Sequence, residues 1–303
     1  MPVRKPRPLQ PGHTIGVVAT AGCVDGCQLE AGVEAIRRAG FKAELAPAIR
    51  ERKGYLAGAE AARAKALAEF FLRDDISAVF CARGGFGSIQ LLSYLDPGVI
   101  ARHPKIFVGY SDVCVLLNWL LGRCGMTAFH GPMVAMDLAR GLAGRSADFF
   151  WGTLSGEKRA WEVKVDGVIR TGRAEAGMTG GCLSILVTTL GTPFEIDTAG
   201  KILFLEDVGE KPYRIERMLT HLRMAGKLEA LAGLVFGSFT DCEGEGERGV
   251  GEVVQEFFHD APYPVVTGFP AGHGRENLTL PFGVRMALDA SKGTVSLLES
   301  PVA

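Results

Sequence analysis

Ser111 closes the apolar run Lys105-Ile106-Phe107-Val108-Gly109-Tyr110 and precedes Asp112, after which Leu116, Leu117, Leu120 and Leu121 share one helical face. A serine on a sharp turn between a buried strand and a helix is placed as a nucleophile is placed. The turn exposes the hydroxyl, and the helix beyond offers backbone N–H groups and a positive dipole end. Val113 stands where the second glycine of G-x-S-x-G is expected, and a helix N-cap would suit the same position. Hydrolysis of an acyl bond also needs a base, a group that orients the base, and donors for the oxyanion. His273 lies between Gly272 and Gly274, whose small size lets an imidazole protrude into a cleft. His130, after a short apolar strand, is the rival base. Glu206 and Asp207 follow the apolar residues 202–205, where a carboxylate could orient His273, sit in solvent, or pair with Lys211 or Arg214. Gly84 and Gly85, in Arg83-Gly84-Gly85-Phe86-Gly87-Ser88, can present unobstructed N–H groups, with the N–H of Asp112 as a second donor. The same loop could grip a phosphate, although it lacks the lysine of a P-loop.

These residues need a scaffold. Hydrophobic patterning predicts strands over 14–21, 42–49, 76–82, 105–110 and 126–129, and helices over 28–39, 57–72, 88–95 and 112–121. Alternation of this kind predicts an α/β fold with a parallel, flavodoxin- or Rossmann-like sheet covered on both faces. Ligands on such sheets bind beyond the carboxyl ends of the strands, where the Gly-rich loop and Ser111 both fall. We expect an N-terminal α/β domain over 1–135, an inter-domain connection over 136–165 and a smaller, β-rich α+β domain over 166–303. From Trp161 onward, strand-like residues at 161–169, 202–205, 234–239 and 265–267 are interspersed with helical stretches at 183–190, 213–225 and 251–258.

Composition narrows the function classes. The chain has 303 residues, 47% of them hydrophobic and 22% charged, and a formal net charge of -1. That balance gives no reason to expect a polyanion or nucleic-acid partner. Forty glycines cluster in loops, as a loop-built site requires. The cysteines at 23, 27, 81, 114, 124, 182 and 242 form no C-x-x-C pair, which suits a reduced, cytoplasmic protein. Arg4, Lys5 and Arg7 followed by an apolar stretch and Ala21-Gly22-Cys23 resemble a lipoprotein signal, but Pro6, Pro8, Pro11 and Gly16 interrupt it. No apolar run approaches the ~20 residues of a membrane span. Asp241, Glu243, Glu245, Gly246 and Glu252 fall on EF-hand loop positions, yet a strand rather than a helix precedes them, and no H-E-x-x-H is present. No metal site is expected from these spacings.

Taken together, Arg83-Gly84-Gly85-Phe86-Gly87, Gly109-Tyr110-Ser111-Asp112, Phe129-His130-Gly131-Pro132, Leu205-Glu206-Asp207-Val208-Gly209-Glu210 with Tyr213-Arg214-Ile215, and Gly272-His273-Gly274 before Leu280-Pro281 resemble the LD-carboxypeptidases. These are serine peptidases with a Ser–Glu–His triad, and they include the microcin C self-immunity peptidases. The resemblance implies Ser111 as nucleophile, His273 as general base, Glu206 as the orienting acid, and an oxyanion hole from N–H groups near Gly84 or Gly85 and Asp112. It implies a cytoplasmic muropeptide tetrapeptide substrate that loses its terminal D-Ala in peptidoglycan recycling, in a homodimer without metal or cofactor. Cys182 stands where many members are expected to carry asparagine. Arg83 or Arg214 is a candidate for the substrate's terminal carboxylate, since a bidentate guanidinium suits a free chain end. Two alternatives stay open: cleavage of a peptidyl- or aminoacyl-nucleotide conjugate, with Trp151 or Trp161 stacking, and a non-enzymatic protein whose Gly84–Ser88 loop holds an anion.

Overall fold

The computed structural model describes residues 3–244 and 248–303. Its elements run β1 (Thr14–Val18), α1 (Gly26–Arg38), β2 (Lys42–Leu45), α2 (Glu60–Leu72), β3 (Ile76–Cys81), α3 (Pro97–Ile100), β4 (Ile106–Gly109), α4 (Cys114–Cys124), β5 (Ala128–His130) and α5 (Ser146–Ser155). They continue β6 (Trp161–Lys164), β7 (Gly167–Arg170), β8 (Arg173–Cys182), α6 (Leu183–Val187), β9 (Ile202–Val208), α7 (Pro212–Met224), β10 (Gly233–Thr240), α8 (Val250–Phe258), β11 (Val265–Thr267), β12 (Leu280–Phe282), β13 (Arg285–Asp289) and β14 (Thr294–Leu297). Two compact units result. The first holds the chain as far as Lys158 with Leu278–Pro281 and Pro301–Ala303, and the second holds Arg159–Asn277 with Phe282–Ser300.

The first unit is built on a sheet of order β12-β5-β4-β3-β1-β2, in which β2, β1, β3, β4 and β5 pair in parallel. Its strands are largely apolar because helices cover them; every residue of β4 is buried. Phe71, Phe80, Phe107, Phe129 and Phe150 are fully buried, each burial being worth about 1.5–3 kcal/mol. Helix α2 lies so close to β1 that a Cβ on Gly16 would come within 2.4 Å of the Phe70 ring. Helix α5 packs Phe150 edge-on to Phe80, with centroids 5.4 Å apart, and Trp151 stacks on Phe41 at 5.1 Å.

The second unit carries an eight-stranded sheet of order β6-β14-β13-β8-β9-β10-β11-β7. Its centre, β8 to β11, is parallel, and β6, β14, β13 and β7 pair antiparallel at its flanks.

Several local expectations change. The helix expected over 88–95 is only a 3-10 turn, Ser88–Leu91, whose bonds close three residues apart: Gln90 N donates to Gly87 O and Leu92 N to Ile89 O, while Ser88 N is capped by Asp112 and Gly87 O also accepts from Arg63. The strand expected at 161–169 is two strands, with Asp166 N turned to Thr267 O between them. Glu206 and Asp207 lie inside β9 rather than beyond its end, since both neighbouring strands pair that far: Cys182 opposes Glu206 and Phe239 opposes Asp207. Of the EF-hand-like positions, Glu245 and Gly246 lie outside the described residues. The segment before them is strand β10. Among the described residues, no helix is long and apolar enough to cross a membrane.

Candidate active site

In the first unit, β4 ends at Gly109 and the chain turns at once. A Cβ on Gly109 would meet Val113 Cγ1 at 2.6 Å, so glycine is required for the turn to be this tight. Ser111 then adopts φ 63°, one of two non-glycine residues with positive φ among the described residues. A β-carbon disfavours that conformation by about 1–2 kcal/mol, and the strained turn lifts the half-buried Ser111 hydroxyl out of the sheet's carboxyl edge. The Gly-rich loop after β3 passes directly beside it. A Cβ on Gly84 would lie 2.8 Å from Ser111 Cβ and 2.9 Å from its Oγ, so only glycine lets backbone and hydroxyl approach this closely.

Buried polar groups clamp that loop. The Asp112 carboxylate, 2% exposed, accepts from Ser88 N at 2.8 Å. Burial pushes its carboxyl above the usual range, against the opposing pull of the Ser88 and Gly87 N–H groups and Arg63. Arg63, on α2 and also buried, donates to Thr20 O, to Gly87 O at 3.1 Å and to Gln90 Oε1 at 2.7 Å. Ser88 Oγ donates to Thr20 Oγ1 at 3.1 Å. Gly22 N donates to Gly84 O at 3.2 Å, which joins the loop after β1 to the same clamp. The result is a rigid cradle whose Gly85, at φ 119°, stays exposed.

In the second unit, Glu206 is fully buried and His273 is 15% exposed at the side chain. Glu206 Oε2 accepts from His273 Nδ1 at 2.6 Å and from the His273 backbone N at 3.1 Å. Gly272, at φ 107°, carries the chain past this carboxylate: a Cβ there would lie 2.5 Å from Glu206 Oε2. Asn277 Oδ1 accepts from Gly272 N at 3.1 Å and holds the bend. A carboxylate on Nδ1 sets the tautomer and leaves Nε2 as the nitrogen that exchanges a proton.

Asp207, the next residue in the strand, points to the opposite face. It accepts from Ser184 N at 2.7 Å, Ser184 Oγ at 3.0 Å and Val208 N at 2.8 Å, tying α6 to β9. Burial and the neighbouring Glu206 charge push its carboxyl above the usual range despite these donors. Cys182 lies on this side too: its buried thiol donates to Asp207 Oδ1 at 3.4 Å.

Residues 15–131 match the LD-carboxypeptidase N-terminal domain, and residues 175–288 match the LD-carboxypeptidase C-terminal domain. A probable murein peptide carboxypeptidase of Bacillus subtilis (strain 168) is 36% identical over 296 residues, covering 96% of this chain and 93% of that protein. The chain belongs to the LD-carboxypeptidase family. The crystal structure of muramoyltetrapeptide carboxypeptidase from Oxalobacter formigenes is similar with a TM-score of 0.85 at 30% identity, covering 94% of this chain and 97% of that one. MccF in complex with glutamyl sulfamoyl guanosine is alike in fold, with a TM-score of 0.91, 24% identity and 99% of each chain covered. Membership makes the protein a hydrolase of the serine carboxypeptidase class.

The elements thus bring Gly84, Gly85, Ser111 and Asp112 together in the first unit of this carboxypeptidase, and Glu206 and His273 in the second. The rival base, His130, is fully buried beside the Tyr110 ring, 5.8 Å between centroids. Arg83 donates from Nε to Gly84 O at 3.3 Å and from Nη1 to Cys23 O at 3.1 Å, so it braces the Gly-rich loop. Arg214 is exposed on α7, where Nε donates to Tyr213 Oη at 3.2 Å and Nη1 lies 3.6 Å from Glu210. Sequence reasoning missed the supports, Arg63, Asn277 and the carboxylate of Asp112. It also missed an exposed aromatic pair beside the loop: Tyr55 (70% exposed) and Phe86 (45% exposed), with centroids 6.2 Å apart. An aromatic residue directly after a glycine in each loop, Gly54-Tyr55 and Gly85-Phe86, was the available signal.

Proposed function

We propose that this carboxypeptidase removes the terminal D-Ala from a murein tetrapeptide, with Ser111 as nucleophile, His273 as general base and Glu206 as its orienting acid. The observation that carries the reading is the 2.6 Å bond from His273 Nδ1 to a fully buried Glu206. A base held in this way suits acyl transfer in a chain where Ser111 is the one serine with positive φ among the described residues. Ser111 Oγ attacks the carbonyl carbon of the scissile bond as its proton passes to His273 Nε2. The oxyanion is received by N–H groups of Gly84 or Gly85 and of Asp112, each worth up to ~10²–10³ in rate. Collapse of the adduct breaks the C–N bond, and His273 gives its proton to the departing amine. Water then repeats the sequence on the acyl-enzyme and frees Ser111.

A free terminal carboxylate must be recognised by any carboxypeptidase. We assign that role to Arg83 or Arg214. Loss of carboxypeptidase specificity on Arg→Ala supports the assignment, and an unchanged KM for the tetrapeptide refutes it. The substrate reading further carries a cytoplasmic location, where tetrapeptides are recycled, and a homodimer, which sedimentation equilibrium tests directly.

The decisive experiment is mass spectrometry of purified muramyl tetrapeptide after incubation with wild type or Ser111→Ala, in the presence of EDTA. Loss of one alanine with wild type alone is the expected result. Loss with both proteins removes Ser111 from the mechanism. Loss with neither moves the substrate to an aminoacyl-sulfamoyl-nucleotide, for which the exposed Tyr55–Phe86 pair would offer a stacking face.

A further inference from the structure

The parallel strands of the first unit present a second concave region at their amino ends, the edge opposite Ser111. It has a volume of about 690 Å³ and is bordered by Lys5, Arg7, His13, Arg102, His103 and Lys105, with Asp74 as the one carboxylate among the described residues. His13 precedes β1, Ile76 and Ser77 begin β3, and Lys105 precedes β4, so rigid strand ends fix the floor. The chain as a whole carries a net charge of -1, so this concentration of cations is not a sample of a generally basic surface.

Part of the cluster holds the fold together. Lys105, 8% exposed, donates from Nζ to Arg73 O at 2.7 Å, the C-cap carbonyl of α2, and to Ile76 O at 2.5 Å, at the start of β3. One of its three N–H donors remains. Arg7 and Arg102 are not committed in this way, since neither has an acidic partner among the described residues. Two guanidiniums, each a fork of donors matched to a tetrahedral oxyanion, thus border a cavity that also presents two imidazoles, the Ser77 hydroxyl and a buried ammonium. The volume suits a small molecule rather than a polymer, which would need an extended basic stripe.

We propose that this cavity is a binding site for a small phosphorylated anion, held by Arg7 and Arg102 and separate from the catalytic edge. The inference does not rest on the identity of the peptide substrate. Isothermal titration of the full chain with inorganic pyrophosphate and with orthophosphate, at constant ionic strength, tests it. Saturable binding is expected, with Kd raised about tenfold or more for each arginine removed in Arg7→Ala and Arg7→Ala/Arg102→Ala. Arg102→Lys, which keeps the charge but not the fork, is expected to fall between wild type and Arg102→Ala. Tighter binding of pyrophosphate than orthophosphate identifies a diphosphate ligand, and equal binding a single phosphate group. The variants are expected to keep the far-UV circular dichroism and the carboxypeptidase activity of wild type. No saturable binding of either anion, binding matched by chloride, or the same Kd in wild type and double variant overturns the proposal.

Discussion

Replacing Glu206 by Gln isolates what the buried carboxylate does for His273. Glutamine keeps the volume and an acceptor for the His273 backbone N–H, which now lies 3.1 Å from Oε2, but removes the charge. With Nδ1 and Oε2 2.6 Å apart, the centres of the imidazolium and carboxylate charges lie about 4 Å apart. At an effective dielectric of about 20 their attraction is worth about 4 kcal/mol, and it exists only after His273 has taken the serine proton. It is therefore transition-state stabilisation, and its loss lowers kcat about 10³-fold with little change in KM. Stability should change by less than about 1 kcal/mol, because removing a fully buried charge relieves a desolvation cost. The assay is alanine release from muramyl tetrapeptide, alongside urea unfolding of both proteins. Glu206→Asp, which restores the charge one methylene short, should recover part of the rate. A loss below tenfold with the fold intact would refute the assignment of Glu206 as the group that stabilises the imidazolium.

Ser111→Gly relieves the positive φ that Ser111→Ala retains, so the glycine variant should be more stable than the alanine variant by about 1 kcal/mol in urea, both being inactive. Equal stabilities would mean that the turn carries no strain. Stability also depends on pH through Asp207, whose carboxyl is raised by burial. Above about pH 4, where an unfolded aspartate ionises, the folded chain keeps a proton that the unfolded chain gives up. Stability therefore falls as pH rises from about 4 through the raised folded value, and levels beyond it. Asp207→Asn should make that decline shallower in urea unfolding between pH 4 and 7, Asp112 supplying the remainder. Identical slopes in wild type and variant would exclude Asp207 as the titrating group.

What the sequence determined by itself was local. An apolar run, a glycine and a helix-forming stretch within about a dozen residues dictate the turn at Ser111, because each is a property of neighbours along the chain. The Gly-rich loop after β3 and the glycines flanking His273 were legible for the same reason. Continuous apolar runs located the buried strands of the first unit, and period-3.6 patterns most of its helices. The choice between Glu206 and Asp207 was not local. The two are adjacent, equally acidic and equally buried, and β9 sends them to opposite faces. Only the packing of the 272–273 bend against one of those faces decides that Glu206 meets the imidazole and Asp207 meets Ser184. Gly272 is likewise explained only by a carboxylate 66 positions earlier in the chain, which fills the space a β-carbon would need. The clamp of Arg63 and Asp112 on the Gly-rich loop joins three separate segments, and pairing between remote polar groups leaves no periodic trace. Tertiary structure chose among chemically equivalent residues, because the partner that distinguishes them lies far away along the chain and near only in the fold.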